Sequence, residues 1–305
     1  MFCQQCEQTA RGTGCTVSGV CGKKPEVAAL QDLLIYGLRA LSHYARAGRE
    51  AGLVDEAVNR FTAAALFTTL TNVNFDPGRF KELIHRCADL ASGLKQKVEA
   101  AGVVVKADDP ALSFQPADSL EALIKQGEEV GLALNPKAGE DIQSLQKTVL
   151  YGLKGIAAYT HHASVLGRED DAVYAFIHEA LSSLYDCSPG FEGWIKMALR
   201  CGEVNLRAME LLDAANTGRY GHPVPTRVPL GHRKGKCILV SGHDLKDLEE
   251  LLIQTEGLGI SIYTHGEMLP AHGYPGLKNI RTFTAISGPP GRTRRRNFPN
   301  SPGPS

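Results

Sequence analysis

The sequence predicts a mainly α protein, in which two duplicated three-helix bundles are followed by the start of an α/β domain with a Rossmann-like, parallel sheet. Three observations lead to this fold class. Apolar residues recur at helical spacing over most of the first 213 residues, the helical pattern occurs twice at a constant offset, and a strand–helix–strand pattern follows at 236–268. We expect the α/β domain to be truncated, because two strands and one helix do not make a sheet that buries both faces.

Helix stop signals divide the first copy into three predicted helices. The first helix ends at Gly48, and Asp-Pro-Gly at 76–78 separates the second helix from the third. A connection rich in Asp, Pro and Ala follows at about 103–140 and contains one short helical pattern. The predicted helices are 30–48, 56–72, 78–102 and, in the connection, 118–131.

The helix predicted at 145–167 repeats the helix at 30–48 with an offset of 115 residues. Agreement over three successive helices predicts a duplication, with copies at about 30–102 and 145–213. Both copies contain a Tyr-Gly pair, and we interpret these positions as helix packing, since glycine permits close approach. The matched pairs include Leu30 and Leu145, Gln31 and Gln146, Tyr36 and Tyr151, Gly37 and Gly152, Leu38 and Leu153, Tyr44 and Tyr159, Phe61 and Phe176 and, at an offset of 114, Cys87 and Cys201.

A βαβ unit is predicted after the helical region. An apolar, β-branched run at 236–243 precedes a helix at 244–257, which Asp244 caps and Gly257 ends. A second strand begins at 259–268. Strand, helix and strand within about 30 residues are typical of parallel pairing.

Polar side chains follow both predicted strands. His243 lies at the carboxyl end of the first strand, and His265 and Glu267 lie just past the second. Ligands of open parallel sheets bind at this edge. From the residues alone, three interpretations remain open: metal ligands, an acid–base pair, or polar groups at a solvated edge.

Four of the eight cysteines lie within the first 21 residues, at Cys3, Cys6, Cys15 and Cys21. Structural zinc usually uses two compact CxxC pairs, whereas the second pair here is widely spaced. A redox CxxC would follow a strand, and no strand is predicted before Cys3. Glycines and small polar residues between the cysteines suit backbone wrapped closely around an iron–sulfur cubane, which we favour over zinc or unligated thiols. The remaining cysteines, Cys87, Cys187, Cys201 and Cys237, are interpreted as buried, inert thiols.

Bulk composition excludes several classes of partner. Lys and Arg total 33, as do Asp and Glu, so the formal charge is zero and no nucleic-acid partner is indicated. No apolar run is long enough to cross a bilayer, and the first residues lack the apolar region of a signal peptide. We therefore expect a cytoplasmic protein with reduced thiols and no membrane partner.

In addition to the duplicated helices, the chain contains the motifs CQQC…GC…GVCG, DAANT…YG, SGHDLKDLEELLIQTEG and YTHGEMLPAHGYPGLK. With these features it closely resembles the hybrid cluster protein family, also called prismane protein or hydroxylamine reductase. The resemblance runs from Met1 to about Lys278. It implies that the four N-terminal cysteines hold a [4Fe–4S] cluster and that His243 and Glu267 ligate a hybrid Fe–S–O cluster. For His265 it leaves two roles open, a proton donor or a hydrogen-bond partner behind the ligands.

The resemblance also implies an activity and partners. The family reduces hydroxylamine to ammonia and water, and its members have been assigned nitric oxide reduction. The substrate would be a small nitrogen oxide, and the electron donor would be a small redox protein or an NADH-linked reductase. Two alternatives remain, a carbon monoxide dehydrogenase-like metal-cluster enzyme and a zinc-stabilised, non-enzymatic helical scaffold.

Residues 279–305 depart from the family pattern. They contain five Pro, five Arg and no acidic residue, and no cysteine follows Cys237, although the family supplies further hybrid-cluster ligands downstream. We expect this segment to be a frameshift product that forms a disordered tail. We also expect the chain to bind only the first cluster and to be inactive. Residues 224–278 are expected to be poorly stable. The predicted domains are 1–24 (cluster loop), 25–222 (duplicated helices), 223–278 (start of the hybrid-cluster domain) and 279–305 (tail).

Overall fold

The fold is known from a computed structural model, which describes residues 1–131, 134–135, 137–229, 231, 233–280 and, as backbone, 283–286. The chain divides into two units. Unit 1 contains residues 1–161 and 169–209, and unit 2 contains 162–168 and the described residues from 210 onward. The division falls inside a long helix, whereas the sequence placed the domain boundary after residue 222.

Seven long helices account for most of the described chain up to residue 220. They are α1 (Pro25–Glu50), α2 (Glu56–Thr68), α3 (Pro77–Ala100), α4 (Leu120–Val130), α5 (Glu140–Val165), α6 (Asp171–Ser183) and α7 (Gly190–Tyr220). Both ends of α1 and α2 recur in α5 and α6 at the predicted offset of 115: 25 and 140, 50 and 165, 56 and 171, 68 and 183. The duplicated helical fold class is confirmed.

Helix capping follows the same repeat. Asp55 caps α2 by accepting hydrogen bonds from the backbone N–H groups of Ala57 and Val58. Asp170, at the same offset (55 + 115 = 170), caps α6 through the N–H of Ala172. Each such cap stabilises its helix by about 1 kcal/mol. The repeated cap explains why the two helices begin at equivalent residues.

The core of unit 1 is organised around α1, which packs against α3, α4 and α6. Its apolar residues lie at i, i+3 and i+4 spacing and are fully buried, each stabilising the fold by roughly 1.5–3 kcal/mol. Helix α1 begins earlier than the sequence pattern suggested, because Pro25 occupies a first-turn position where its missing N–H costs nothing. The buried leucines of α1 are Leu30, Leu33, Leu34, Leu38 and Leu41.

The repeated glycines pack against the repeated cysteines. A Cβ on Gly37 would lie 3.4 Å from Cys87 Sγ, and one on Gly152 would lie 2.6 Å from Cys201 Sγ. Burial raises the pKa of both thiols, that of Cys201 to about 11. Cys87 and Cys201 are therefore buried packing residues, as the sequence predicted, whereas Cys187 and Cys237 are only partly buried.

Unit 2 contains a parallel sheet in the order β1-β2-β3, formed by β1 (Lys236–Ser241), β2 (Ile260–His265) and β3 (Phe283–Ile286). Helix α8 (Leu245–Thr255) connects β1 to β2, and Asp244 caps it as predicted. A 3-10 helix (Gly266–Gly273) and α9 (Pro275–Lys278) follow β2. The described core contains Tyr220, Leu248, Leu252, Ile262, Met268, Ala271, Tyr274 and Leu277.

Two expectations about this region need revision. The sequence predicted two strands, but Phe283–Ile286 pairs with β2 as a third. Its short Phe-Thr-Ala-Ile pattern was obscured by the surrounding Pro and Arg residues. Helix α7 also continues to Tyr220, past the predicted end near 213, because Tyr220 is buried in the core of unit 2. The remaining residues of the predicted tail, 281–282 and 287–305, lie outside the described part.

None of the described helices combines the length and apolar character that a membrane-spanning segment requires.

Candidate metal centres

The N-terminal cysteines lie in a loop, residues 3–21, that we call the cysteine loop. An antiparallel bridge joins its first residue to Cys15: the N–H of Cys3 donates to the carbonyl oxygen of Cys15 at 3.0 Å, and the N–H of Cys15 donates to the carbonyl oxygen of Cys3 at 2.8 Å. Gly12 and Gly22 adopt φ values of 71° and 94°, which a residue with a side chain rarely does. These turns close the loop.

Hydrogen-bond donors surround the sulfur of Cys15. The backbone N–H of Ala10 lies 3.4 Å from Cys15 Sγ, and Thr9 Oγ1 lies 3.8 Å from it. Hydrogen bonds from the backbone N–H groups of Val20 and Ala10 lower the pKa of the Cys15 thiol, although burial opposes them. The site therefore favours the thiolate, which is the form that ligates metal.

Gly19 leaves space beside another of the cysteines. A Cβ at this position would lie only 2.9 Å from Cys21 Sγ, closer than real contacts allow. A side chain here would displace the sulfur or the backbone. The observation agrees with the sequence-based argument that glycines let the chain approach its ligands closely.

The structure does not gather the four sulfurs into one ligand set. Among the described residues, no three His, Cys, Asp or Glu side chains form a metal-binding group, and all eight cysteines are free thiols. Cys15 is buried, and Cys3, Cys6 and Cys21 are half-buried. What fits an iron–sulfur cluster is the donor chemistry: four thiols in one closed loop, backbone N–H groups directed at a sulfur, and glycine where a sulfur needs room.

Buried lysines lie beneath the cysteine loop. Lys154 of α5 donates to Gln5 Oε1 at 3.1 Å, and Gln5 in turn directs Nε2 at Cys3 Sγ, 3.7 Å away. Lys23 Nζ lies 4.0 Å from the same sulfur and 2.6 Å from Gln31 Oε1. Both lysines are almost completely buried, at 1% and 2% exposure. Two ammonium groups therefore converge on Cys3.

Asp32 is the acidic partner of these lysines. Desolvation raises its pKa to about 7, although the charges of Lys154 and Lys23 and the amino group of Met1 oppose the rise. Burial lowers the pKa of Lys154 to about 7, and Asp32 opposes that change. None of these three residues was predicted from the sequence as a site residue. The repeat offered a signal for Lys154, since it occupies the position of Arg39 in the first copy (39 + 115 = 154).

The second candidate centre lies in unit 2, at the carboxyl edge of the sheet. His243 Nε2 lies 3.3 Å from Glu267 Oε2, and the two side chains are well exposed. They follow β1 and β2, whose register pairs Ser241 with His265. The structure therefore brings together the imidazole and the carboxylate that the sequence singled out.

Two further residues at this edge were not predicted as site residues. His162, near the end of α5, places Nδ1 3.2 Å from Asp244 Oδ2, and its ring lies 6.4 Å from that of His243. Burial would raise the pKa of Asp244, but hydrogen bonds from His162 and from the N–H groups at the start of α8 lower it to about 2. No local sequence pattern connects residues separated by about 80 positions, so the pair was missed.

His265 is separated from solvent, unlike His243. It is 2% exposed, and its Nδ1 lies 3.4 Å from Ser241 Oγ. Nearby, Thr264 Oγ1 lies 2.7 Å from His272 Nε2, and burial lowers the pKa of His272 to about 4. The edge therefore consists of an exposed pair, His243 and Glu267, and a buried layer of histidines.

Comparison with known proteins identifies similar sequences. The model of the Prismane/CO dehydrogenase family matches residues 1–305, which includes the segment after Lys278. A hydroxylamine reductase of Syntrophobacter fumaroxidans is 59% identical over 303 residues, and one of Methanocella arvoryzae is 54% identical over 305. These alignments cover 99% and 100% of this chain and 56% of each relative, so the chain spans little more than half the length of these curated relatives.

Proposed function

We propose, on the premise that this chain belongs to the Prismane/CO dehydrogenase family, that its cysteine loop binds a [4Fe–4S] cluster that delivers electrons for the reduction of hydroxylamine. The observation that carries the proposal is the closed loop in which backbone N–H groups point at Cys15 Sγ and lower its pKa. The name that two similar relatives carry, hydroxylamine reductase, supports the substrate.

Residues of the loop have separate parts in this proposal. Cys3, Cys6, Cys15 and Cys21 would hold the iron, and the cluster, when bound, accepts and releases single electrons. The N–H groups of Ala10 and Val20 offset negative charge at the Cys15 sulfur. Gly19 keeps the space beside Cys21 open.

His243 and Glu267 are proposed as ligands of the hybrid Fe–S–O cluster. Their contact at 3.3 Å shows that one small object could be reached by both side chains. Imidazole and carboxylate are harder ligands than sulfide, and they suit iron that also binds oxygen. Since His265 is buried against Ser241, we assign it the positioning role rather than that of proton donor.

Hydroxylamine reduction takes up two electrons and two protons and releases ammonia and water. The N–O bond breaks, nitrogen is reduced, and oxygen leaves as water. The electrons would come from a small redox protein or an NADH-linked reductase. We propose a reducing, cytoplasmic location, which would keep the cysteines as thiols able to ligate iron.

Metal analysis of the anaerobically reconstituted chain tests the first centre. We expect about four irons and four sulfides per chain, the content of one [4Fe–4S] cluster. Cys15→Ser should lose most of this iron, because a ligand and its hydrogen bonds are removed together. Cys187→Ser is the control, since this partly buried thiol lies outside the loop. Zinc at one per chain, or iron unaffected by Cys15→Ser, would refute the assignment.

The second centre is tested with the same preparations. Iron clearly above four per chain that falls back to about four in His243→Ala and in Glu267→Gln would support ligation by this pair. Iron above four that neither substitution changes would assign the extra metal elsewhere.

A further inference from the structure

Each copy of the helical repeat contains a buried cation at the same position of its first helix. In the first copy, Arg39 is fully buried and forms an ion pair with Asp109, its Nε donating to Oδ2 at 3.2 Å. The guanidinium lies over the ring of Tyr36 at 5.2 Å. The charge of Arg39 is therefore neutralised locally by a carboxylate.

In the second copy, the hydrogen bonds of Lys154 go to neutral groups. Its Nζ donates to the amide oxygen of Gln5 at 3.1 Å and to the carbonyl oxygen of Thr69 at 3.2 Å. It lies 6.0 Å from the ring of Tyr151, as Arg39 lies over Tyr36, but no carboxylate among the described residues forms an ion pair with it. Both of its acceptors are neutral groups.

Lys23 adds a second buried cation to the same place. Its partners are the amide oxygen of Gln31 at 2.6 Å and the sulfur of Cys3 at 4.0 Å. Among the described residues, Asp32 is the carboxylate whose pKa the charges of both lysines lower, against the effect of its burial. Two ammonium groups against one carboxylate leave a surplus positive charge. A buried charge costs several kcal/mol unless an opposite charge lies close to it.

The positive charge of the two lysines lies closest to the sulfur of Cys3. Lys23 contacts its sulfur directly, and Lys154 reaches it through Gln5, whose Nε2 lies 3.7 Å from Sγ. A thiolate here, with a cluster attached, would supply the missing negative charge. Because both lysines are almost completely buried, the attraction is stronger than it would be in water.

We propose that Lys23 and Lys154 are positioning residues that raise the reduction potential of the cluster at Cys3. The inference rests on the proposed cluster of the cysteine loop. Reduction adds one electron to that cluster, and the positive charge that Lys23 and Lys154 carry in their protonated forms stabilises the added negative charge. Asp32 acts in the opposite direction, since its carboxylate disfavours an added electron.

Redox titration of the anaerobically reconstituted full chain, followed by absorbance and EPR, tests this inference. Lys23→Met and Lys154→Met keep the apolar stem and remove the charge. At the wild-type midpoint, each should lower the ratio of reduced to oxidised cluster about tenfold, which is a shift of about 59 mV to more negative potential for one electron. Asp32→Asn should shift the potential to more positive values.

Two controls separate charge from structure. Lys154→Arg keeps the charge and should keep the wild-type midpoint, and Lys196→Met removes a charge from an exposed position of α7 and should change nothing.

Iron and sulfide are counted in every sample. If the cluster is present and the midpoints of Lys23→Met, Lys154→Met and Asp32→Asn equal that of the wild type, the charge inference is wrong while the cluster stands. Loss of iron from both methionine variants, with Lys154→Arg also losing it, would assign the lysines a purely structural role. If the wild-type chain binds no iron, both proposals fail.

Discussion

His178 connects the two copies of the helical repeat through a buried hydrogen-bond network. Its Nδ1 lies 3.3 Å from Ser42 Oγ of α1, and its Nε2 lies 3.1 Å from Asn59 Oδ1 of α2. Arg49 also donates to that oxygen, at 2.9 Å, so Asn59 Oδ1 is the acceptor and His178 Nε2 carries the proton. Burial lowers the pKa of His178 to about 3.

Stability should therefore fall in acid. The unfolded chain takes up a proton on this histidine near pH 6.5, whereas the folded chain does so only near pH 3. Between these values the unfolded state binds more protons, so the free energy of unfolding falls as the pH falls, by up to about 1.4 kcal/mol per pH unit. Urea unfolding at several pH values measures this slope.

His178→Gln removes the titrating group and should flatten the slope between pH 6 and 4. His222→Gln, at an exposed position, is the matched control and should leave the slope unchanged. Equal slopes for all three proteins would show that His178 does not carry the pH dependence.

Individual site residues were predictable where a local motif contains them. His243 and Glu267 follow adjacent parallel strands, so position in the sequence predicted their proximity. Cys3, Cys6, Cys15 and Cys21 lie within one loop, but their assignment as a single ligand set stays a prediction. Lys154 and His162 were missed because their partners, Gln5 and Asp244, lie in distant segments. Only tertiary packing brings such pairs together.

Helix α4 illustrates packing at the scale of an element. It lies against α1 at Gly127, where a Cβ would be placed 2.5 Å from the carbonyl carbon of Ala29. This close approach requires glycine, even though glycine costs a helix interior about 1 kcal/mol relative to alanine. The contact fixes the distance between the two helices.

Gly127→Ala should destabilise the protein by about 1–3 kcal/mol, because the added methyl group separates α4 from α1. Gly93→Ala in α3 is the same substitution at an exposed position with no atom near the new Cβ, and it should stabilise by up to about 1 kcal/mol. Chemical denaturation measures both. A gain in stability for both variants would disprove the packing argument.

Whole elements were predicted better than their ends. The repeat and the Asp residues before α2, α3, α6 and α8 marked the helices, since caps are local signals. The continuation of α7 to Tyr220 depends on the core of unit 2, and the third strand depends on backbone pairing with β2. No local pattern contains either of these tertiary contacts.

At the scale of the whole molecule, the two units should differ in stability. Unit 2 has a small core beneath a sheet of three short strands, whereas unit 1 buries the faces of several long helices. Trp194, the one tryptophan of the sequence, is buried in unit 1 and donates to the carbonyl oxygen of Asp186 at 3.2 Å. Its fluorescence therefore reports on unit 1.

During urea denaturation, far-UV circular dichroism should begin to change before Trp194 fluorescence does. Leu252→Ala, in the core of unit 2, should move the early transition to lower urea and leave the fluorescence midpoint in place. Leu38→Ala, in the core of unit 1, should lower the fluorescence midpoint, each substitution costing about 2–5 kcal/mol. Coincident transitions in every variant would mean that the chain unfolds as one cooperative unit.

The link between Gln5 and Lys154 has a consequence for the order of events during synthesis. The two residues are 149 positions apart, and they meet only when α5 has packed against the cysteine loop. A ribosome finishes the four cysteines long before it reaches that lysine. Thiols on the growing chain therefore lack the cationic surroundings of the finished protein until α5 has been synthesised and has packed against the cysteine loop.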